Sequence, residues 1–135
     1  MTVQTFVNLP VKDLAKTTEF FSKLGFSFDR PSPDGQTTRM IISDDASVMF
    51  HTEPFFERFT GGDITDPSKS REVVVGLSTA SREEVDELVD LAVAAGGQDV
   101  GGPVDQGFMY MRPFLDVDGH RWSFLFMDMS AMPER

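Results

Sequence analysis

Residues 3–25 of the chain read VQTFVNLPVKDLAKTTEFFSKLG, and this stretch decides the fold. Over residues 3–11 one parity carries Val3, Thr5, Val7, Leu9 and Val11, and the other carries Gln4, Phe6, Asn8 and Pro10. This pattern with a period of two residues predicts a strand. Asp13 stands where a helix N-cap is expected, and Gly25 stands where a left-handed residue would end that helix. The stretch therefore predicts a strand, a capped helix and a glycine stop.

The same order of elements returns in residues 72–97, which read EVVVGLSTASREEVDELVDLAVAAGG. Phe6 of the first copy aligns with Val74 of the second. Ser81 and Glu84 form a capping-box pattern, and the apolar positions that follow have helical spacing. Three further strands are predicted after each helix: residues 26–28, 37–42 and 47–52 in the first copy, and 98–100, 108–115 and 121–127 in the second.

An internal repeat of this kind predicts an α+β fold made of two βαβββ modules. We expect a single domain in which residues 1–53 form the first module and residues 71–130 the second. Residues 54–70, rich in glycine and proline, are expected to be a connecting loop. One module would leave a face of its sheet apolar and wet, whereas two modules bury it together. The expected architecture is a curled mixed sheet around a cavity.

The composition excludes several classes of function. The chain has 135 residues, 40% of them hydrophobic, and 22 acidic against 12 basic side chains give a net charge of −10. Such a surface repels nucleic acids and anionic membranes. The chain has no cysteine, so disulfides, thiolate metal sites and cysteine nucleophiles are absent. No apolar run approaches the roughly 20 residues of a membrane span, and residues 1–6 lack a signal-peptide pattern, so a cytoplasmic location is expected.

Four stretches are similar to motifs of the vicinal oxygen chelate superfamily, also called the glyoxalase, bleomycin resistance and extradiol dioxygenase superfamily. They are residues 8–14 (NLPVKDL), 20–26 (FFSKLGF), 107–110 (GFMY) and 116–122 (DVDGHRW). The resemblance covers essentially the whole chain. It implies two modules whose sheets curl around a cavity, usually in a homodimer. In the enzymes of the family, His, Glu or Gln ligands from the first and last strands of each module hold a divalent metal there.

The residues at those ligand positions differ from the family's pattern. Phe6 and Val74 stand in the two first strands, Ser123 replaces the usual glutamate of the last strand, and either Met49 or His51 occupies the fourth position. The resemblance therefore implies a protein without a metal cofactor. Bleomycin-resistance-type members of the family bind ligands in this way. Our first hypothesis is a homodimer that binds a small, partly aromatic or amphipathic molecule in an apolar cavity.

Two alternatives stay open. A divalent-metal-dependent lyase, isomerase or dioxygenase would use His51 with donors that the alignment misplaces. A stress or regulatory protein would act through its dimer surface. His51 itself is either a surviving ligand or general base, since imidazole titrates near neutral pH, or a hydrogen-bonded histidine of the pocket. His120 lies in the turn before the last strand and is expected to brace that turn.

The predicted ligand pocket takes residues from both modules: Phe6, Asn8, Met49, His51, Phe108, Tyr110, Arg112 and Ser123. The amide of Asn8 can donate to and accept from a ligand, or satisfy the neighbouring backbone. Tyr110 and Arg112 share one face of their strand. Arg112 would bind a carboxylate or phosphonate with two parallel hydrogen bonds, or pair with an acidic neighbour such as Asp116 or Glu53.

Two further stretches have alternative interpretations. The segment 53–59 carries Phe55, Phe56 and Phe59, which would cover the cavity mouth, lie in a subunit interface or pack against the sheet edge. Five acidic side chains lie within residues 83–90, early in the second helix. They complement the positive end of the helix dipole and are expected to form a solvated face.

Overall fold

The computed structural model describes residues 3–131 and contains two compact units, with the boundary between Asp66 and Pro67. Each unit contains one mixed sheet with an α-helix packed on one of its faces. The predicted α+β class is confirmed, and the first unit has the predicted three strands after its first helix, whereas the second unit has four. No helix among the described residues is long and apolar enough to cross a membrane.

The first unit contains a four-stranded sheet with the order β1-β4-β3-β2, in which β1 and β4 are parallel and the other pairs are antiparallel. Its elements are β1 (Thr5–Val11), α1 (Leu14–Lys23), β2 (Ser27–Phe28), β3 (Thr37–Ser43), β4 (Ala46–Thr52) and α2 (Glu53–Thr60).

Helix α1 begins and ends as the sequence predicts. The carboxylate of Asp13 accepts hydrogen bonds from two backbone N–H groups of the first turn, at 2.9 and 3.2 Å. Gly25, just beyond the helix, has a φ of 102°, a conformation that a side chain would disfavour. Phe21 is fully buried and stacks on Phe50 with ring centroids 5.5 Å apart. This contact joins the helix to the middle of the sheet.

Helix α2 corrects the prediction of a loop over residues 54–70. The helix runs over Glu53–Thr60, and its C-cap, Gly61, has a φ of 75°. Pro54 stands in the first turn, where the missing N–H would have no partner within the helix and the fixed φ favours helix formation. Proline at this position therefore starts a helix here and does not break one. Residues 61–73 contain no helix or strand.

The second unit contains a five-stranded sheet with the order β5-β9-β8-β6, and β7 also pairs with β8. Strand β7 was not predicted, because its two residues follow the Gly101-Gly102-Pro103 turn. The elements are β5 (Val74–Ser78), α3 (Arg82–Ala94), β6 (Gln98–Asp99), β7 (Val104–Asp105), β8 (Met109–Leu115) and β9 (Arg121–Met127), followed by a 3-10 turn (Met129–Ala131).

Helix α3 packs an apolar stripe on this second sheet. The Ser81 hydroxyl accepts a hydrogen bond from the backbone N–H of Glu84 at 3.1 Å, as a capped helix start requires. The buried side of the helix carries Val85, Val89 and Ala92. On the sheet, Phe114 stacks on Phe124 with centroids 5.3 Å apart, and both rings are buried. These side chains form the core of the unit.

Candidate functional site

The first sheet has one face on α1 and a second face turned away from it, which we call the distal face. Leu9 and Val11 of β1 are buried on the α1 side. Because side chains alternate along a strand, Phe6 and Asn8 lie on the distal face. The parallel register places Asn8 beside Met49. The distal face thus carries the four pocket residues predicted from the first module, which are Phe6, Asn8, Met49 and His51. Three more side chains lie on the same face: Thr37, Arg39 and Ser47.

The imidazole of His51 is held by hydrogen bonds at both ring nitrogens. Its Nδ1 lies 2.8 Å from Oγ1 of Thr37, and its Nε2 lies 2.8 Å from Oδ1 of Asn8. Thr37 pairs with His51 across β3 and β4, and Asn8 comes from the neighbouring β1. Three adjacent strands therefore fix the orientation of one ring, which is 4% exposed.

Helix α2 adds aromatic contacts to the same ring. The rings of Phe55 and Phe59 each lie 5.3 Å from the imidazole, and that of Phe56 lies 6.1 Å from it. The predicted cluster of three aromatics thus packs over the end of the sheet at His51. Burial lowers the pKa of His51, because a charged imidazolium in this apolar setting would lose its hydration.

Acidification is expected to destabilise the protein through His51. The unfolded chain takes up a proton near pH 6.5, whereas the folded state takes it up only at lower pH, so stability falls as the pH drops below about 6.5. A single proton contributes no more than about 1.4 kcal/mol per pH unit. Urea unfolding at pH 7.5 and 5.5 should show this loss in the unmodified chain. The loss should be smaller in His51→Gln. An equal loss in the variant and the unmodified chain would show that His51 does not cause the destabilisation.

The apolar end of the distal face is only half-buried. Phe6 is 48% exposed, although it stands in the second position of a strand. It shares its face with the Asn8 amide, whose Nδ2 lies 3.5 Å from the carbonyl oxygen of Phe6. An exposed ring therefore lies next to the Asn8–His51–Thr37 hydrogen-bond network.

In the second unit, Ser123 lies on the sheet face turned away from α3. It pairs with Gly76 of β5, and a β-carbon added to Gly76 would lie 3.6 Å from the Ser123 hydroxyl oxygen. Val74 follows the same alternation on β5 and is 54% exposed. Phe108 precedes β8, and its carbonyl oxygen accepts a hydrogen bond from the backbone N–H of Asp128.

Tyr110 and Arg112 do converge, but on the opposite face from Ser123, so the second module does not bring its predicted pocket residues together. Their side chains point toward α3, where the Tyr110 hydroxyl donates to Asp86 at 2.7 Å. The Arg112 guanidinium contacts Asp86 at 3.1 Å, Asp90 at 3.2 Å and Asp99 at 3.0 Å. The strand alternation was predicted correctly; which face α3 covers was not.

The partners of Arg112 also differ from the acids that the sequence suggested. Asp116 and Glu53 were the candidates, whereas the structure uses three aspartates of α3 and β6. Two of them belong to the acidic stretch 83–90, which was expected to be simply solvated. With its side chain 12% exposed, Arg112 joins α3 to the sheet and has a structural role.

Asp116 and His120 form the turn before β9, as predicted for His120. The Asp116 carboxylate accepts hydrogen bonds from the backbone N–H groups of Asp118 and His120, at 2.9 and 3.0 Å, and from Nε1 of Trp122 at 2.8 Å. Burial raises the pKa of Asp116. The turn therefore depends on one buried carboxylate that connects it to the indole.

A separate cleft of 490 Å³ lies along the other side of α2. It is lined by Pro54, Glu57, Arg58, Gly61, Gly62 and Asp63. Residues three and four apart share a helix face, so this cleft is on a different face of α2 from the phenylalanines that contact His51. It is not part of the distal face.

The sequence of the chain matches the Glyoxalase/Bleomycin resistance protein/Dioxygenase superfamily over residues 4–124. The chain belongs to this superfamily. No curated protein matches it. A solved structure of a hypothetical protein from S. aureus is similar at 29% identity, with a TM-score of 0.81, over 93% of this chain and 95% of that one.

Two further solved structures share the fold. A glyoxalase/bleomycin resistance protein/dioxygenase family enzyme from Burkholderia phytofirmans PsJN is 18% identical, with a TM-score of 0.77, over 93% of this chain and 99% of that one. A bleomycin resistance determinant encoded on the transposon Tn5 is 20% identical, with a TM-score of 0.66, over 95% of this chain and 100% of that one. At these identities the similarity shows the fold alone.

The divalent metal that the resemblance implies does not fit the residues of this chain. Phe6 and Val74 have no donor atom, and Ser123 offers only a neutral hydroxyl, a weak ligand. Both nitrogens of His51 already have hydrogen-bond partners. Within residues 3–131, no group of three or more His, Asp or Glu side chains is placed to hold a metal ion. The residues at these positions therefore do not supply the ligand set that metal-dependent chemistry would need.

Proposed function

We propose that the protein binds a small aromatic or amphipathic molecule on the distal face of its first sheet, without a catalytic divalent metal. The observation that carries this proposal is that Phe6, at a position where the family's enzymes have a metal ligand, is an apolar ring with 48% of its surface exposed. A ring left in water at that position is suited to cover the apolar part of a ligand.

The polar side chains next to Phe6 support the proposal. Small-molecule sites combine apolar surface with a few precisely held polar groups. The Asn8–His51–Thr37 network supplies such groups, and its two 2.8 Å contacts hold them in one arrangement before a ligand arrives. A preordered site loses less entropy when it binds.

The family supports a role in binding as well. One of the similar structures is a bleomycin resistance determinant, and the resemblance implies that members of that type bind ligands without a metal. In this chain the state of the His51 imidazole also favours binding over catalysis. A lowered pKa and two occupied nitrogens make His51 a poor general base near neutral pH. The predicted homodimer and cytoplasmic location stay predictions.

Nile red, a neutral and planar aromatic dye, tests the proposal because the net charge of the protein does not steer it. We expect about one dye molecule bound per chain, seen as a rise in its fluorescence. Phe6→Ser should weaken binding about fivefold, because roughly half of a phenylalanine's hydrophobic contribution, about 1 kcal/mol, is lost. The matched control is Leu91→Ser, since Leu91 is 45% exposed on α3, and its affinity should not change.

Equal weakening by both variants, or by neither, would contradict binding at the distal face. The metal-free part has its own contrary outcome. The purified protein is incubated with Mn, Fe, Co, Ni and Zn, desalted, and measured by elemental mass spectrometry. Retention of about one equivalent, lost in His51→Ala, would show a metal site and favour the metal-dependent enzyme.

A further inference from the structure

We infer that the distal face presents hydrogen-bond donors to its ligand, with Nδ2 of Asn8 as the central one, and so recognises a ring compound through a carbonyl or carboxylate oxygen. The inference rests on the proposed function and deepens it by assigning the polar group of the ligand. It follows from the direction in which the protons of the Asn8–His51–Thr37 network run.

A neutral imidazole has one donor nitrogen and one acceptor nitrogen. The carbonyl oxygen Oδ1 of Asn8 faces Nε2 of His51 at 2.8 Å and can only accept, so Nε2 carries the proton. The other nitrogen, Nδ1, must then accept, and the Thr37 hydroxyl donates to it. Each hydrogen bond in the network thus has one direction: Thr37 donates to His51, and His51 donates to Asn8.

The reverse direction is disfavoured by the neighbouring backbone. It would require the Asn8 amide to turn over, with its nitrogen toward His51. Its oxygen would then face the carbonyl oxygen of Phe6, which now lies 3.5 Å from Nδ2. Two acceptors in contact repel each other, so the backbone of Phe6 fixes the amide in the observed orientation.

The amide nitrogen is left with spare capacity. Nδ2 has two hydrogens, and within residues 3–131 its one hydrogen bond, to the Phe6 carbonyl oxygen, is at the limit of hydrogen-bond length at 3.5 Å. The Asn8 oxygen already accepts from His51 at 2.8 Å, whereas neither amide hydrogen has a close acceptor among the described residues. The larger unused capacity that Asn8 offers to a ligand on this face is therefore that of a donor.

Arg39 provides a second donor on the same face. Its Nε donates to Ser47 at 2.9 Å and its Nη1 donates to Asp29 at 3.1 Å, whereas Nη2 makes no hydrogen bond to the residues the structure describes. Arg39 and Asn8 pair with Met49 from its two sides. Two donors flanking a thioether, beside the Phe6 ring, suit a planar apolar compound with an oxygen acceptor at its edge.

Three one-ring compounds test the inference: benzamide, a neutral acceptor; benzoate, an anionic acceptor; and benzylamine, a cationic donor. Asn8 is the chain's one asparagine, so protein labelled with 15N-asparagine gives a side-chain amide signal that needs no further assignment. We expect benzamide to shift this signal and benzylamine to leave it unchanged. Benzoate should shift it too, and weaker binding of benzoate would show that the net charge of −10 opposes anions.

Two variants sharpen the test. Asn8→Asp keeps the oxygen that accepts from His51 but replaces the donor by a second oxygen, so benzamide should bind about five- to tenfold more weakly. The matched control is Leu91→Ser, at an exposed position of α3 outside the distal face, and its affinity for benzamide should not change. Long-range 1H–15N spectra of His51 should show the proton on Nε2.

Each contrary result has its own meaning. A proton on Nδ1 of His51, a shift with benzylamine but not benzamide, or equal benzamide affinity in Asn8→Asp would overturn the donor assignment. The methyl signal of Met49, assigned through Met49→Leu, separates the two proposals. If it moves while the Asn8 amide does not, binding to the distal face stands and the inference is wrong. If neither signal moves with any of the compounds, both proposals are wrong.

Discussion

Replacing Arg112 by alanine is expected to lower the free energy of unfolding by about 2 to 3 kcal/mol. The Arg112 side chain is 12% exposed, and its guanidinium lies 3.0 to 3.2 Å from three carboxylates. Removing it leaves three negative charges close together and removes the ion pairs that join β8 to α3 and β6. Breaking a fully buried pair costs about 3 to 5 kcal/mol. The value here is smaller because the aspartates are 41 to 72% exposed and regain water.

The matched control for this variant is Arg82→Ala. Arg82 also pairs with an aspartate of the second unit, Asp105, but its side chain is 38% exposed, so a much smaller loss is expected. Urea unfolding can be followed by the fluorescence of Trp122, the chain's one tryptophan. Salt should reduce the deficit of Arg112→Ala by screening the repulsion among the aspartates. Equal losses in the two variants would show that the ion pairs of Arg112 stabilise the protein no more than an exposed surface pair does.

Local patterns predicted most of the fold because they are short-range. A strand was predicted at residues 121–127, and the structure has β9 at Arg121–Met127. The aspartate and serine caps of α1 and α3 act within one helical turn, so the sequence alone reveals them. Helix α2 was missed because Pro54 and the following glycines were interpreted as loop signals, although proline in a first turn favours a helix.

The candidate site depends on contacts that local patterns do not contain. Alternation correctly placed Asn8 beside Phe6 and His51 beside Met49. The contact between Asn8 and His51 depends on the parallel register of β1 with β4, two strands that α1, β2 and β3 separate in the chain. Thr37 was predicted to lie in a strand but not to belong to the site. The register of β3 with β4 places it opposite His51, and β-branched character alone gave no signal for this.

In the second module, local patterns predicted which residues share a side of the sheet but not which side the helix covers. Tyr110 and Arg112 were predicted to share a side, and both contact Asp86. Which side that is depends on where α3 crosses the sheet, a contact between residues 24 and 26 positions apart. The acidic stretch 83–90 on α3 was the signal that could have shown which side of the sheet this helix covers. In a buried setting an arginine needs carboxylates, and this helix supplies them.

Replacing Asp116 by alanine is expected to cost about 3 kcal/mol, the largest single effect in the turn before β9. The variant loses three hydrogen bonds at once, at 2.8 to 3.0 Å. The most costly loss is that of the Trp122 indole, which is fully buried and would keep an N–H without a partner. A buried donor left unsatisfied costs about 1 to 3 kcal/mol, and the two backbone N–H groups add to it.

Asp116→Asn separates the carboxylate from the shape of the side chain. Its amide oxygen can still accept from the backbone N–H groups of Asp118 and His120, but its nitrogen would place a donor against Nε1 of Trp122. We therefore expect a loss of about 1 to 2 kcal/mol, between those of the parent chain and Asp116→Ala. If both variants unfold at the same urea concentration as the parent chain, the turn does not depend on the buried carboxylate. If asparagine costs as much as alanine, the contact with the indole accounts for nearly all of the stabilisation and the backbone contacts for little.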